Sequence, residues 1–288
     1  MAVMDVAKLP KFQAQLASEC SSPTQVLAHV LDNSPKVLPS FVRMPQEAQA
    51  LARDCLTSEF IFGEFIWAEI PPASVTAVKT MLSDSRKTLT KKKYLDVFLY
   101  SVFVAMSASK GSQSLEGSLY MTEDRWEEFE VGKNAIQRLE RESEQVVYDS
   151  ILARSAKTAG LSFDSSSIES RALARLACMC NTDREQGGLL NEAYQSMEDT
   201  QRLALSKYLA ADGIDQQPAF AFQNARQFLQ KAMANEEVGP LPAMLILLKA
   251  GARQSLSSFG PVRLSRPPGF SEEVKSLTSD ASFRGKAK

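Results

Sequence analysis

Helical periodicity runs through this chain almost without a break, and it constrains the fold more than any other feature. Apolar residues recur three and four apart, as in Val26, Leu27, Val30 and Leu31, or Phe222, Ala225, Phe228, Leu229 and Met233. That spacing lays an apolar stripe along one face of an α-helix. No run of alternating β-branched residues bounded by turns interrupts it. The pattern predicts an all-α, multi-helix bundle.

Start and stop signals divide the pattern. Ser22-Pro23 supplies an N-cap followed by proline at the first helical position. Pro45 opens a helix that runs into the cluster Phe60–Trp67 and stops at Pro71-Pro72, and a shorter helix follows to about Leu82. Lys91 to Ser109 reads as an apolar helix, and Lys110 to Ser118 as a flexible linker. Thr122-Glu123-Asp124 starts a long charged helix reaching about Lys157. Ser166-x-x-Glu169 and Ser196-x-x-Asp199 read as helix starts, with Asn181 to Gly188 as a polar loop between them. Asp212-Gly213 stops a helix, and Gln217-Pro218 starts the next. Gly239 to Pro242 is a break, followed by a short helix over Ala243–Ala250 that ends at Gly251. These signals predict about nine to eleven helices in two lobes, 1–121 and 122–251. A mobile basic tail, 252–288, is expected after them.

Composition narrows the function. Hydrophobic residues are 44% and charged residues 23% of the 288, as in ordinary globular chains. A net charge of −1 gives no overall pull toward nucleic acid or anionic membrane. The start, MAVMDVAKLPKFQ, carries Asp5 and lacks the apolar core of a secretory signal, so a cytoplasmic or nuclear location is expected, not a secreted one. The longest apolar stretch, Tyr94 to Ala108, contains Asp96 and falls short of the roughly 20 residues a membrane span needs; no membrane partner is expected.

Reactive constellations are missing from the pattern. His29 is the single histidine, so two-histidine metal sites within the chain are excluded. No glycine-rich phosphate cradle and no calcium loop is complete. Cys178 and Cys180 stand two apart in a helical pattern, where side chains diverge; with Cys20 and Cys55 they read as reduced, partly buried thiols. The glutamates between Glu127 and Glu144 read as a solvated helix face, and Asp183 and Glu185 as weak candidates in a polar loop. No catalytic residue, cofactor or metal is expected, and the chain reads as a non-enzyme.

Charge and aromatic placement point to contact instead. Arg86, Lys87, Lys91, Lys92 and Lys93 form one basic patch, and Arg263 and Arg266 open the basic tail. Trp126 stands at the start of a charged helix, where a large aromatic reads as a cap on a groove or as an anchor for a partner. The expected function is a non-enzymatic interaction or scaffold protein, whose partner is another protein or further copies of itself. The acidic stretch Glu116–Glu144 meeting the basic patch of another copy gives a head-to-tail form of that assembly. The alternative is a packaging protein of nucleocapsid or coat type that holds RNA or single-stranded DNA on those basic residues.

Overall fold

The computed structural model describes residues 9–16, 19–20, 22–57, 60–83, 91–107, 121–216, 219–222, 225–234 and 239–256. Among the described residues the fold is all-α, with no strand. Those residues hold fourteen α-helices, more than the nine to eleven that the turn signals predict. The chain divides into two compact units. One comprises residues 1–62 and 75–141; the other comprises 63–74 and 142–288.

In the first unit, α1 (Pro10–Leu16), α2 (Pro23–Asn33), the short α3 (Pro39–Val42) and α4 (Gln46–Leu56) come first. Ser22 Oγ accepts from Gln25 N and caps α2, with Pro23 at the first helical position. The buried face of α2, Val26, Leu27 and Val30, gathers Phe12, Leu16, Leu38 and Leu56. The helix expected from Pro45 onward is broken: α4 ends at Leu56, and α5 (Phe62–Ile66), which after Phe62 belongs to the second unit, is a separate turn. α6 (Thr76–Ser83) follows a 3-10 turn over Pro72–Val75, where two prolines deny the backbone its donors. α7 (Lys91–Ser107) and α8 (Glu123–Arg138) complete the unit. The linker expected at 110–118 lies outside the described residues.

The second unit is built on α9 (Glu144–Thr158), α10 (Ile168–Cys180), α11 (Arg184–Gln195), α12 (Asp199–Ala210), α13 (Ala225–Met233) and α14 (Pro240–Leu256). The long helix expected from Thr122 to Lys157 is two helices, because Ser143 Oγ accepts from Val146 N and caps a new start. α10 is the central rod. It packs against α9, α11, α12 and α13, and Ala172, Ala174, Arg175, Leu176, Ala177, Cys178, Met179 and Cys180 are all buried. Its alanines leave room for neighbours on every side.

Further expectations are corrected in this unit. Ser167, not Ser166, caps α10, and Ser166 instead donates to Asp164. Ser196 ends α11 rather than starting α12, which has no side-chain cap. Residues 184–188 are helix, not loop: Asp183 and Gln186 form a reciprocal capping box at the start of α11. Gly187 lies inside that helix because a Cβ there would sit 2.1 Å from the Ala159 carbonyl oxygen. Gly251 is internal to α14 for a related reason, since a Cβ would meet the Tyr208 ring at 2.6 Å. Pro240, at the first position of α14, starts the helix that the proline pair was expected to break. α13 begins at Ala225 rather than at 217–218, and Phe222 N bonds to Glu69 O ahead of it. α14 reaches Leu256, so the first residues of the expected 252–288 tail are helix, and the rest of that tail lies outside the described residues.

Candidate functional site

α7 is apolar on nearly every side, and from Val97 to Ser107 it carries no charge. A helix of that kind belongs covered on both faces. Its inner face is covered: Tyr94, Leu95, Phe98 and Leu99 are buried. Among the described residues, its outer face is not. Lys93, Asp96, Val97 and Tyr100 are exposed, Tyr100 at 69%, and Phe103 and Val104 are half-buried beyond them. These positions fall three and four apart, so they line one stripe.

The stripe continues onto α8. Thr122 Oγ1 accepts from Arg125 N and caps α8, and Arg125 Nη1 donates to Met106 O at 3.4 Å, tying the start of α8 to the end of α7. Phe103 meets Trp126 edge-on at 6.2 Å and Phe129 at 5.7 Å. Trp126 lies 5.7 Å from Phe129, which in turn contacts Phe62. Trp126 stays 42% exposed, with Lys133 Nζ 5.9 Å from its ring centroid and paired with Glu130. Exposed Glu123, Asp124 and Glu127 surround it. The face therefore runs from Lys93 and Asp96, of opposite charge, through an uncharged apolar middle to Trp126, beside which acidic residues outnumber Lys133.

Of the residues named from sequence, Trp126 and Lys93 belong to this face. Lys91 and Lys92 stand in the first turn of α7. Arg86, Lys87, Arg263 and Arg266 lie outside the described residues. His29 lies on α2, exposed. Asp183 is an N-cap, which gives it a local structural task.

The second unit holds a cluster that sequence reasoning misses. Arg175 is fully buried, at 0% exposure, in the middle of α10. Its Nε donates to Ala68 O at 2.7 Å, Nη1 to Leu209 O at 2.8 Å, and Nη2 to Phe220 O at 3.0 Å and Glu69 O at 3.1 Å. One guanidinium thus joins the 63–74 segment, the end of α12 and the stretch before α13. Its carbon also lies 5.5 Å from the Phe222 ring centroid. Tyr148 Oη donates to the same Ala68 carbonyl at 3.1 Å. Ala68 is held at φ 55, a left-handed conformation that costs an L-residue about 1 kcal/mol. The lone charge in the run Ala172–Cys180 is the available signal, since an arginine there has to find acceptors or face solvent.

Glu69, 8% exposed, adds a second tie. Its Oε1 accepts from Arg226 N at 2.8 Å and so caps α13 from a distance, while the Arg226 guanidinium stacks 3.5 Å from the Trp67 ring centroid. Burial raises the Glu69 carboxyl above its ordinary value; the Arg226 amide and the charges of Arg226 and Arg175 offset only part of this. A carboxyl that holds its proton more tightly when folded contributes stability that is full at low pH and lost as pH rises through the raised value. Glu69→Gln keeps an acceptor and cannot ionise. Its stability relative to the native chain is therefore expected to improve as pH rises from the ordinary carboxylate range through the raised value, and to stay level above it. Urea titrations at several pH values read that difference, and parallel pH profiles would refute it.

This cluster has the chemistry of a structural tie. Burial pushes the Cys178 and Cys180 thiols up to about 12, which keeps them protonated and weakly nucleophilic. None of Cys20, Cys55, Cys178 and Cys180 is in a disulfide. Among the described residues no group of three or more His, Cys, Asp or Glu side chains is placed to hold a metal ion, and no helix is long and apolar enough to cross a membrane.

Fold and face together define an all-helical protein with an uncovered apolar stripe between charged ends. Residues 1–248 match a family described as a family of unknown function (DUF6829), and the chain belongs to it. No curated protein and no solved structure matches the chain.

Proposed function

We propose that the chain is a non-enzymatic interaction or scaffold protein whose working surface is the α7–α8 face. The observation that carries this reading is the outer stripe of α7, where Val97 and Tyr100 are exposed beside half-buried Phe103 and half-exposed Trp126. Aromatic anchors ringed by charge are the composition of binding surfaces. The second unit supports the reading by what its buried arginine does, which is to hold backbone in place.

The full chain, purified under native conditions beside its Tyr100→Lys variant, provides the test. A protein retained in fixed ratio by the native chain and released at least about tenfold by the variant is the expected result. Tyr100 is exposed, so the substitution leaves the fold intact, and circular dichroism checks that. Retention unchanged in the variant overturns the reading. So does co-purification of nucleic acid alone, seen as a raised 260/280 nm absorbance ratio. If that nucleic acid is single-stranded, binds with a steep salt dependence and is lost when Lys91, Lys92 and Lys93 are changed together to Glu, packaging replaces scaffolding as the function.

A further inference from the structure

We infer that the break between α8 and α9 is a hinge, and that when it straightens the two helices become one and two copies of the chain exchange their 63–74 strips. The partner is a second copy, and what it completes is the buried cradle around Arg175. The exchange makes no use of the stripe on α7.

The hinge is made of helix-forming residues. From Lys133 to Ala159 the chain has no glycine and no proline, and Arg138, Leu139, Glu140, Arg141 and Glu142 are all strong helix formers. Leu139 keeps helical torsions, and Leu139 N and Arg141 N still bond back three residues, to Ile136 O and Arg138 O. At Ser143 the φ of −74 already suits a helix, and only the ψ of 157 departs from it. The Ser143 hydroxyl favours that ψ by accepting from Val146 N. With Ser143 turned helical, residues 123–158 run as one helix about 54 Å long. Ile136, Leu139 and Val146 then fall on one stripe, and Val146, 50% exposed in the bent form, is the member that the bend leaves in water.

The strip is what two copies exchange. Residues 63–74 belong to the second unit, yet the chain joins them at both ends to the first. Straightening changes the direction of everything after Ser143, while 63–74 stays with the residues on either side of it. α10 is thereby carried away from the strip of its own chain. Arg175 cannot be left behind alone, because a buried guanidinium without its acceptors is costly. Its Nε bonds to Ala68 O and its Nη2 to Glu69 O. Tyr148 Oη also reaches Ala68 O, Phe222 N reaches Glu69 O, and Arg226 N reaches Glu69 Oε1. The strip of a second copy makes every one of these bonds equally well. Two straightened chains therefore complete each other, and the pair closes with twofold symmetry and no binding end left over.

Sedimentation velocity and amide hydrogen exchange on the full chain test this. On concentration the native chain is expected to form a species of twice 31.7 kDa that separates slowly on dilution. Segment 140–144 is expected to be better protected from exchange in that dimer than in the single chain. Ser143→Ala removes the cap and suits a helix interior, so it is expected to strengthen the dimer at least about tenfold. Ser143→Pro removes the same cap but stops a continuous helix, so it is expected to abolish the dimer. If the proline variant fails to fold, Ser143→Ala carries the test alone. Arg175→Met loosens the strip, which has to leave its cradle whenever the two species interconvert. It is expected to speed interconversion about tenfold. A dimer held by surface contact alone does not respond to that change. The inference is overturned by a chain that stays single at every concentration, Ser143→Ala included. A folded Ser143→Pro variant that still dimerises, a dimer with 140–144 no better protected, or an interconversion rate indifferent to Arg175→Met also overturns it.

Discussion

Arg175→Met is expected to destabilise the C-terminal unit by about 2–5 kcal/mol. Methionine fits the apolar surroundings of α10, so the loss does not come from volume. It comes from the carbonyls of Leu209 and Phe220, which accept from the guanidinium and stay buried when it is gone, whereas Ala68 O keeps Tyr148 Oη and Glu69 O keeps Phe222 N. A buried group left without its partner costs about 1–3 kcal/mol, and main-chain acceptors cannot be mutated away to compensate. Arg175→Lys keeps the charge but presents a compact ammonium with three donors in place of a planar fork. It is expected to recover less than half of the loss. Denaturant titration followed by far-UV circular dichroism measures both. For a unit of this size the methionine variant should melt about 10 °C lower. A loss below about 1 kcal/mol would show that the Leu209 and Phe220 carbonyls find other donors.

Gly187→Ala and Gly188→Ala are expected to change stability in opposite directions, although the residues adjoin in α11. A Cβ on Gly187 would stand 2.1 Å from the Ala159 carbonyl oxygen and 2.9 Å from its carbonyl carbon, both backbone atoms that cannot rotate aside. The helix must then move away from the end of α9, at a cost of about 1–3 kcal/mol or more. A Cβ on Gly188 meets nothing within 4 Å. There the alanine simply removes the freedom that glycine has in the unfolded chain, a gain of about 0.4–1 kcal/mol. Thermal melts of the two variants against the native chain decide it. Equal shifts of the same sign would mean that α11 does not approach Ala159 as closely as the structure has it.

Those two glycines also show where the sequence is legible and where it is not. Helix class follows from apolar spacing, and the starts at Ser22-Pro23 and Thr122 follow from cap chemistry, because both are local. Gly187-Gly188 reads as a loop because a glycine kept for close approach and a glycine kept for turning are the same letter. The capping box Asp183-x-x-Gln186, just upstream, is the local feature that contradicts the loop. Gly251 misleads in the same way, since the Tyr208 ring that requires it comes from α12. The extra helices arise from breaks that need no strong punctuation: Ser143 caps α9 within a run of charged residues that reads as continuous helix.

The candidate site divides along the same line. Trp126 stands out because a large aromatic in an acidic helix start is out of place locally. Tyr100 does not, because α7 is apolar throughout, and only its packing against α4, α6 and α8 tells which side is left over. Arg175 escapes a sequence reading because its four acceptors are main-chain atoms, which no residue pattern reveals.

The tie between Ala68 and Arg175 spans 107 residues, and it orders events in time. A ribosome releases residues 63–74 long before it makes α10, so their carbonyls wait in water while the chain between is added. The C-terminal unit therefore cannot complete its packing without an early strip of chain. A fragment that starts after residue 74 carries the arginine without Ala68 and Glu69, so any attempt to express that unit separately has to take its missing piece from the other end of the gene.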